Sequence, residues 1–505
     1  MIQKYEKNVN FAFMNDTPKV KPFFLLKGED GKTDFFKSWQ WQVIICSMIG
    51  YSIFYFVRKN FSFAMPALAA EYGIGDLQLG SILTAVGVIY GISKFLNGIL
   101  ADRSNARWHL VIGLGACVIL NLIFGWSAKL SALISGNEFG PDFVNVMVWL
   151  MAILLVLNNV FQGCGFAPCN RLMVHWVPPT ELATKMSIWN TSHSIGAGIV
   201  SVLCGAIIGG MGMNLAGEPA TVERIAANLG KAIDDPAVIT AAQHVGAWQW
   251  CFWIPALIGA VGVFFILTTL RDTPTSVGLP ELKGTKTALD NNDTTAEYKK
   301  FVKKRVFGNP VVWALAICDL FVYIVRFAVL DWGPKFLQQG ETALSPQLAG
   351  WTIAIFEIAG CAGMLAAGWA TDKLFKSKGQ RMCLIEMFIT ALCLVGLWLL
   401  PKGHPVAMLV LLAVSGFFLY GPQALLGVVA SNHVTKKAAS SAVGLIGLMS
   451  YVSTIFTGFG VGLLSKTFGN GFWNNLFLIM AGVAVIGGLI VLPLWNMKNN
   501  GYESE

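Results

Sequence analysis

The chain has 505 residues, of which 55% are hydrophobic and only 13% charged, whereas a soluble domain carries about 25% charged residues. That balance excludes an ordinary soluble enzyme or nucleic-acid-binding domain and points to a polytopic, all-α membrane protein. The net charge of +8 is read as loop topology and not as a nucleic-acid footprint.

Residues 1–39 form a polar N-terminal segment without the short apolar stretch and small-residue cleavage site of a secretory signal, so the first span is expected to act as an uncleaved anchor. Apolar runs of spanning length follow near 40–62, 78–101, 108–128, 146–170, 184–212 and 247–270. A charged linker, 271–309, interrupts them. A second set lies near 310–334, 348–371, 382–400, 405–428, 438–463 and 473–496, ahead of a tail at 497–505. The expected fold is thus twelve transmembrane helices in two six-helix halves, 40–270 and 310–496.

Arg103, Arg107, Arg171, Lys185, Lys299 to Arg305, Lys373, Lys376, Lys378, Arg381, Lys436 and Lys437 fall on alternate connections, which the positive-inside rule assigns to the cytoplasm together with both termini. The long connection 213–246 is acidic on balance through Glu218, Glu223, Asp234 and Asp235. All ten cysteines lie in or beside spans without C-x-x-C pairs or nearby histidines, as expected of core filler. No metal or cofactor is expected. Motifs for phosphate loops, zinc hydrolases and serine hydrolases are missing, and no nucleophile, base and oxyanion set is apparent, so the chain is not read as an enzyme.

The chemistry is concentrated in charges inside the apolar runs. Arg58 lies in IGYSIFYFVRKNFSFAMPAL and Arg326 in ICDLFVYIVRFAVLDWGPKFL, 268 positions apart (326 − 58). An arginine at mid-bilayer costs about 2.5–3.5 kcal/mol on insertion scales, so it needs a watery cavity or an anion. If they stood about 10 Å apart at an effective dielectric near 20, the two would repel by about 1.7 kcal/mol, and a phosphate dianion between them would reverse the sign. Tyr51, Tyr55 and Arg58 share a helical face, as do Tyr323 and Arg326. Guanidinium forks with phenolic hydroxyls suit a phosphate or carboxylate, although the tyrosines also suit an interfacial belt.

Lys59 points away from Arg58, and Asp331 is its candidate partner across the halves; capping of a helix end before Gly333-Pro334 is the other reading of Asp331. Lys94 either faces the interior or snorkels to the nearer interface. Glu357 is a further charge that must face inward. Asn190 and His193 make a polar notch, serving either an interhelical hydrogen bond or a titratable ligand contact. Glycine runs such as GCGFAP and AGCAGMLAAG mark close helix packing.

The loops GILADRSNAR (Gly98, Asp102, Arg103) and GWATDKLFKSKGQR (Asp372, Lys373) recur at an offset of about 270, which with the paired arginines indicates an internal duplication. This G-x-x-x-D-[RK] loop resembles the cytoplasmic signature of the major facilitator superfamily, whose glycine is expected to allow close helix approach. FYFVRKNFSFAMP, YGISKFLNG, NNVFQGCGFAPCNRLMVHW, WNTSHSIGAG, FVYIVRFAVLDWGPKFL and FFLYGPQALLG resemble, in order, its organophosphate:inorganic phosphate antiporter family.

The resemblance implies a monomeric antiporter of a bacterial inner membrane, exchanging an organic phosphate for inorganic phosphate by alternating access. Glycerol 3-phosphate is the expected substrate; hexose-phosphate and phosphoglycerate transporters and hexose-phosphate sensors are the alternatives. It implies that Arg58, Arg326 and His193 hold the phosphate. Tyr51, Tyr55, Lys94, Gln162, Phe166, Trp189, Asn190, Tyr323, Tyr420 and Tyr451 would line the cavity, and Lys59, Asp331 and Glu357 would gate it. Phe166 stands where the glycerol-3-phosphate pattern has tryptophan, and with Tyr420 and Tyr451 it is expected to form a bulky wall. The eleventh span lacks the Asp-x-x-Lys pair associated with hexose-phosphate uptake.

Overall fold

A computed structural model of the chain describes residues 20–28, 31–101, 104–282, 300, 302–338, 344–376, 378–400, 404–434 and 439–497. Twelve helices are long and apolar enough to span a bilayer among these residues: α1 (Phe35–Tyr72), α2 (Asp76–Gly98), α3 (Ala106–Gly125), α4 (Pro141–Trp176), α5 (Lys185–Ile208), α6 (Ala247–Thr269), α7 (Pro310–Leu337), α8 (Pro346–Lys373), α9 (Gly379–Leu399), α10 (Pro405–Asn432), α11 (Ser441–Phe468) and α12 (Asn470–Leu494). Large apolar side chains such as Trp149, Val261, Phe264 and Leu392 are 67–70% exposed, as suits a surface meeting lipid. The protein is an integral membrane protein. Its helices alternate in direction, so Phe35, Pro310 and Ser441 begin at one end, the termini end, while Tyr72, Asp76, Leu337 and Phe468 lie at the other, the distal end.

Several spans are interrupted. α1 breaks at Val57–Asn60, α4 at Gly163–Gly165 and α5 at Thr191, while α11 carries a π-helical stretch at Ile455–Gly460. A break in apolar surroundings frees backbone carbonyls that must find donors. At α1, the Val57 carbonyl accepts from Asn158 Nδ2 at 2.9 Å, Asn121 Nδ2 at 3.2 Å and Gln162 Nε2 at 3.3 Å, and Gln162 also reaches the Phe54 carbonyl at 3.1 Å. Asn121 accepts from Asn60 Nδ2 at 2.8 Å, closing an amide network between α1, α3 and α4.

Contacts between the halves gather toward the distal end. α2 meets α11, where a Cβ on Gly80 would stand 2.3 Å from the Gly458 carbonyl oxygen, and α5 meets α8, where a Cβ on Gly350 would stand 2.4 Å from the Ser201 oxygen. Thr84 Oγ1 donates to the Thr454 carbonyl at 3.0 Å and accepts from Phe459 N at 2.7 Å. Lys335 of α7 and Ser465 of α11 both bond Asp76 at the start of α2.

The connection 213–246 contains two short helices, Pro219–Leu229 and Pro236–Gln243, around a small core of Val222, Ile225, Ala226, Val238 and Ala242 with Ala70 of α1. It is tied down by Asn228 Nδ2 on the Ala70 carbonyl at 2.9 Å, and Glu71 accepts from Gly246 N at 2.9 Å and Trp248 Nε1 at 3.2 Å. Asp235 caps the second helix; the Ala237 N–H and Lys231 hold its carboxyl below its ordinary range. Near the other end, β1 (Leu26–Lys27) and β2 (Thr33–Asp34) pair antiparallel, Leu26 opposite Asp34, and Asp34 caps α1.

The amide network yields the first test. Asn158→Leu removes two of its bonds and leaves a buried acceptor under-satisfied, so it should destabilise the protein by about 1–3 kcal/mol. Thermal unfolding in detergent reads this; an unchanged transition would mean that the break does not depend on the side-chain amides.

Candidate functional site

Arg58 sits in the α1 break and not, as a continuous span would have it, on a regular helical face. The break lets its guanidinium lie over the Tyr90 ring, 3.6 Å from the centroid, with the Tyr55 ring at 5.3 Å. Tyr51 and Tyr55 meet edge to face at 5.6 Å. Arg326 occupies unbroken α7, so the two arginines match in sequence offset but differ in backbone.

Arg326 is 7% exposed. Its guanidinium carbon lies 4.6 Å from the Tyr420 ring and 5.6 Å from the Tyr323 ring, and its Nη2 is 3.5 Å from Glu357 Oε1. Glu357 faces inward and pairs within its own half, α8 to α7, with Arg326 as the cation within its reach. A further consequence is that the two arginines are not both bare, since one of them faces a carboxylate.

A chain of ring contacts connects the arginines. Arg58 lies over Tyr90, Tyr90 meets Tyr451 at 5.0 Å, Tyr451 meets Phe327 at 6.5 Å, Phe327 meets Tyr323 at 5.3 Å, and Tyr323 adjoins Arg326. Lys94 points inward and does not snorkel, with its Nζ 4.5 Å from the Phe166 ring and 5.7 Å from the Tyr451 ring. Phe166 and Tyr451 thus share Lys94, while Tyr420 stands apart from that wall beside Arg326 and Phe356.

His193 lies just after the α5 break and bonds the backbone carbonyl of Asn190 through Nδ1, so the two residues meet through main chain and not as paired side chains. Its ring is 6.1 Å from Tyr55, and its buried Nε2 has no hydrogen-bond partner among the described residues. Trp189 is fully buried, stacks on Tyr51 at 5.0 Å and donates to Ser47 Oγ at 3.1 Å. Gln162, expected at the cavity wall, spends its amide on the α1 break.

Lys59 Nζ lies 2.8 Å from Asp331 Oδ1, across the halves, and 5.2 Å from the Phe327 ring. Asp331 caps no helix end, because α7 continues through Pro334 to Leu337. Of the loop motif, Asp102 and Arg103 lie outside the described residues. Gly98 does not mark a close helix approach, since a Cβ there would meet nothing within 4 Å. Asp372 and Lys373 lie exposed at the end of α8. On either side of Asp102 and Arg103, Arg171 Nη1 donates to the Ala101 carbonyl at 3.0 Å, and its Nη2 is 3.3 Å from Asp272, which accepts from Ala106 N at 2.8 Å.

Four residues escape the sequence reading: Tyr90, Asp319, and the paired Lys335 and Asp76. Tyr90 stands one turn before Lys94, a spacing that could have found it. Asp319 is an acidic residue in an apolar run, seven positions before Arg326, and its cost in lipid was the available signal. Lys335 and Asp76 lie 259 positions apart, and no local pattern joins them. Among the described residues no group of three His, Cys, Asp or Glu side chains could hold a metal.

Comparison with known proteins agrees with this architecture. The model of the Major Facilitator Superfamily matches residues 47–458 and, overlapping, 340–499. The chain is 32% identical over 475 residues to the glycerol-3-phosphate transporter of Bacillus subtilis (strain 168), covering 93% of this chain and 95% of that protein. It is also 32% identical over 486 residues to a probable hexose phosphate transport protein of Chlamydia trachomatis, covering 93% and 94%. Among solved structures, a D-xylose-proton symporter superposes with a TM-score of 0.65 at 14% identity, covering 91% of this chain and 99% of that one. The twelve helices and the full-length similarity agree, and the chain belongs to the major facilitator superfamily and, within it, to the organophosphate:inorganic phosphate antiporter family.

Proposed function

We propose that the protein exchanges an organic phosphate, with glycerol 3-phosphate as the preferred substrate, for inorganic phosphate by alternating access. The observation that carries this reading is the pair of arginines, one from each half, joined by a chain of aromatic contacts in the interior. Guanidinium groups give a phosphate bidentate donors, and the tyrosines add hydrogen bonds without charge. His193 Nε2, buried and unpartnered among the described residues, is a further donor or acceptor beside Tyr55. The likeness to glycerol-3-phosphate and hexose-phosphate transporters supports the ligand class.

Loop charge puts the termini end in the cytoplasm of a bacterial inner membrane. On that assignment the contacts of α2 with α11 and of α5 with α8 lie on the outer side. Phosphate entering between the arginines competes with Glu357 for Arg326 and draws Arg58 toward the same anion. Both halves then close on one ligand. Exchange follows if the empty carrier seldom makes the same transition, and the phosphate gradient supplies the energy. The protein would act as a monomer, because each monomer holds both halves of the site.

Arg58→Lys and Arg326→Lys should each weaken binding of inorganic phosphate and of glycerol 3-phosphate by about a hundredfold or more, because lysine keeps the charge but loses the fork. Titration in detergent decides it, and affinities within about threefold of the unsubstituted protein would reject the clamp.

Lys59 and Asp331 should couple in transport. Neutralising Asp331 alone leaves an unpaired cation in a low-dielectric setting, a larger perturbation than removing both charges. In a double-mutant cycle on exchange rate, additive effects of Lys59→Ala and Asp331→Ala would remove the pair from the mechanism.

In competition against labelled phosphate uptake by proteoliposomes, glycerol 3-phosphate should outcompete glucose 6-phosphate, since Phe166, Tyr451 and Lys94 narrow the chamber beside the clamp. An apparent affinity about tenfold in favour of glucose 6-phosphate would move the assignment to hexose phosphates while leaving the clamp intact.

A further inference from the structure

Asp319 lies on the face of α7 that carries Tyr323 and Arg326, at i, i+4 and i+7. Seven residues at the rise of an α-helix set it about 10 Å along the axis from the arginine, toward the termini end. It is 1% exposed. Its Oδ2 accepts the hydroxyl of Ser450, the neighbour of Tyr451 on α11. Its Oδ1 is buried and has no hydrogen-bond partner among the described residues.

A purely structural partner for Ser450 needs one acceptor, which a neutral side chain supplies. A carboxylate adds a negative charge to a chamber whose Arg58, Lys94 and Arg326 are opposed there by Glu357, and so weakens its attraction for an anion. Phosphate recognition alone has no use for that charge. Burial opposes a charge on Asp319, the nearby cations Arg326 and Lys94 favour it, and its Oδ1 lacks a donor among the described residues. An ammonium group of a ligand would add charge beside those two cations. A hydroxyl supplies the missing hydrogen bond without adding any.

We propose that Asp319, oriented by Ser450, accepts a hydroxyl from the organic half of the transported phosphate monoester, and is thus the specificity-determining residue that separates polyol phosphates from inorganic phosphate and from plain alkyl phosphates. The assignment rests on the phosphate-exchange reading above. It gives the chamber two subsites on one helix: the arginine end takes the phosphoryl group common to both exchanged ligands, and the Asp319 end takes the part only one of them has.

The experiment compares unsubstituted protein, Asp319→Asn and Ser450→Ala in proteoliposomes loaded with inorganic phosphate. Uptake of labelled phosphate is competed with glycerol 3-phosphate and with propyl phosphate, which has the same carbon count without the hydroxyls. The unsubstituted protein should prefer glycerol 3-phosphate over propyl phosphate by about tenfold or more. Asp319→Asn should erase most of that preference while binding of inorganic phosphate is retained or strengthened, as the loss of a negative charge near the arginines requires. Ser450→Ala should lower the preference in the same direction, and it carries the comparison if Asp319→Asn fails to insert. A preference retained in both variants overturns the proposal, as does a parallel loss of phosphate:phosphate exchange, which would make Asp319 structural. Absence of phosphate:phosphate exchange in the unsubstituted protein would instead overturn the exchange reading on which the proposal rests.

Discussion

The Val57 carbonyl, freed where the first helix breaks, is the point on which the site's geometry depends. In apolar surroundings an unpaired carbonyl is costly, and three side-chain amides from the third and fourth helices converge on this one. Because the break is held from two other helices, Arg58 and Lys59 are aimed by packing and not by helical pitch. Consecutive residues on a regular helix diverge by about 100°. Here one of them lies over Tyr90 in its own half and the next reaches Asp331 in the other half. A single backbone defect thus serves both the candidate clamp and the contact between halves.

The charges are arranged so that four intramembrane cations each have a partner within the fold. Arg326 rests on Glu357, Lys59 on Asp331, and Arg58 and Lys94 on aromatic faces. Cation–π contacts stabilise a cation by about 0.5–2 kcal/mol, less than a charge-assisted, bidentate bond to an anion. Arg58 is therefore held in position without being saturated. The two halves are not electrostatically equivalent: the C-terminal arginine faces a carboxylate, whereas the N-terminal one lies against aromatic rings.

The distal seal is of a different kind. It is made of backbone approaching backbone at Gly80–Gly458 and Gly350–Ser201, reinforced by Lys335 and Ser465 on Asp76. Small residues allow close, dry packing whose strength is dispersion spread over many atoms. Such a surface can separate as a unit, while the Lys335–Asp76 pair adds a directional restraint at its edge. The interruptions in the first, fourth and fifth helices adjoin Arg58, Phe166 and His193, whereas the π-helical stretch of the eleventh lies in the distal seal itself.

Composition and hydrophobic run length were enough to specify twelve spans in two halves, because a bilayer imposes one length and one polarity on every crossing segment. The paired charges were legible for the same reason: Arg58, Arg326 and Glu357 stand out where a charge is costly. Packing alone decided their partners. Glu357 turns to Arg326 in its own half, Tyr90 and not Tyr55 provides the nearer face for Arg58, and Gln162 holds backbone instead of lining the wall. Lys335 with Asp76, and Asp319 with Ser450, are contacts between residues 259 and 131 positions apart, which helical periodicity cannot bring together. A one-dimensional pattern fixes which face of a helix is polar; which polar groups meet depends on crossing angles, breaks and glycine contacts that exist only once the helices are assembled.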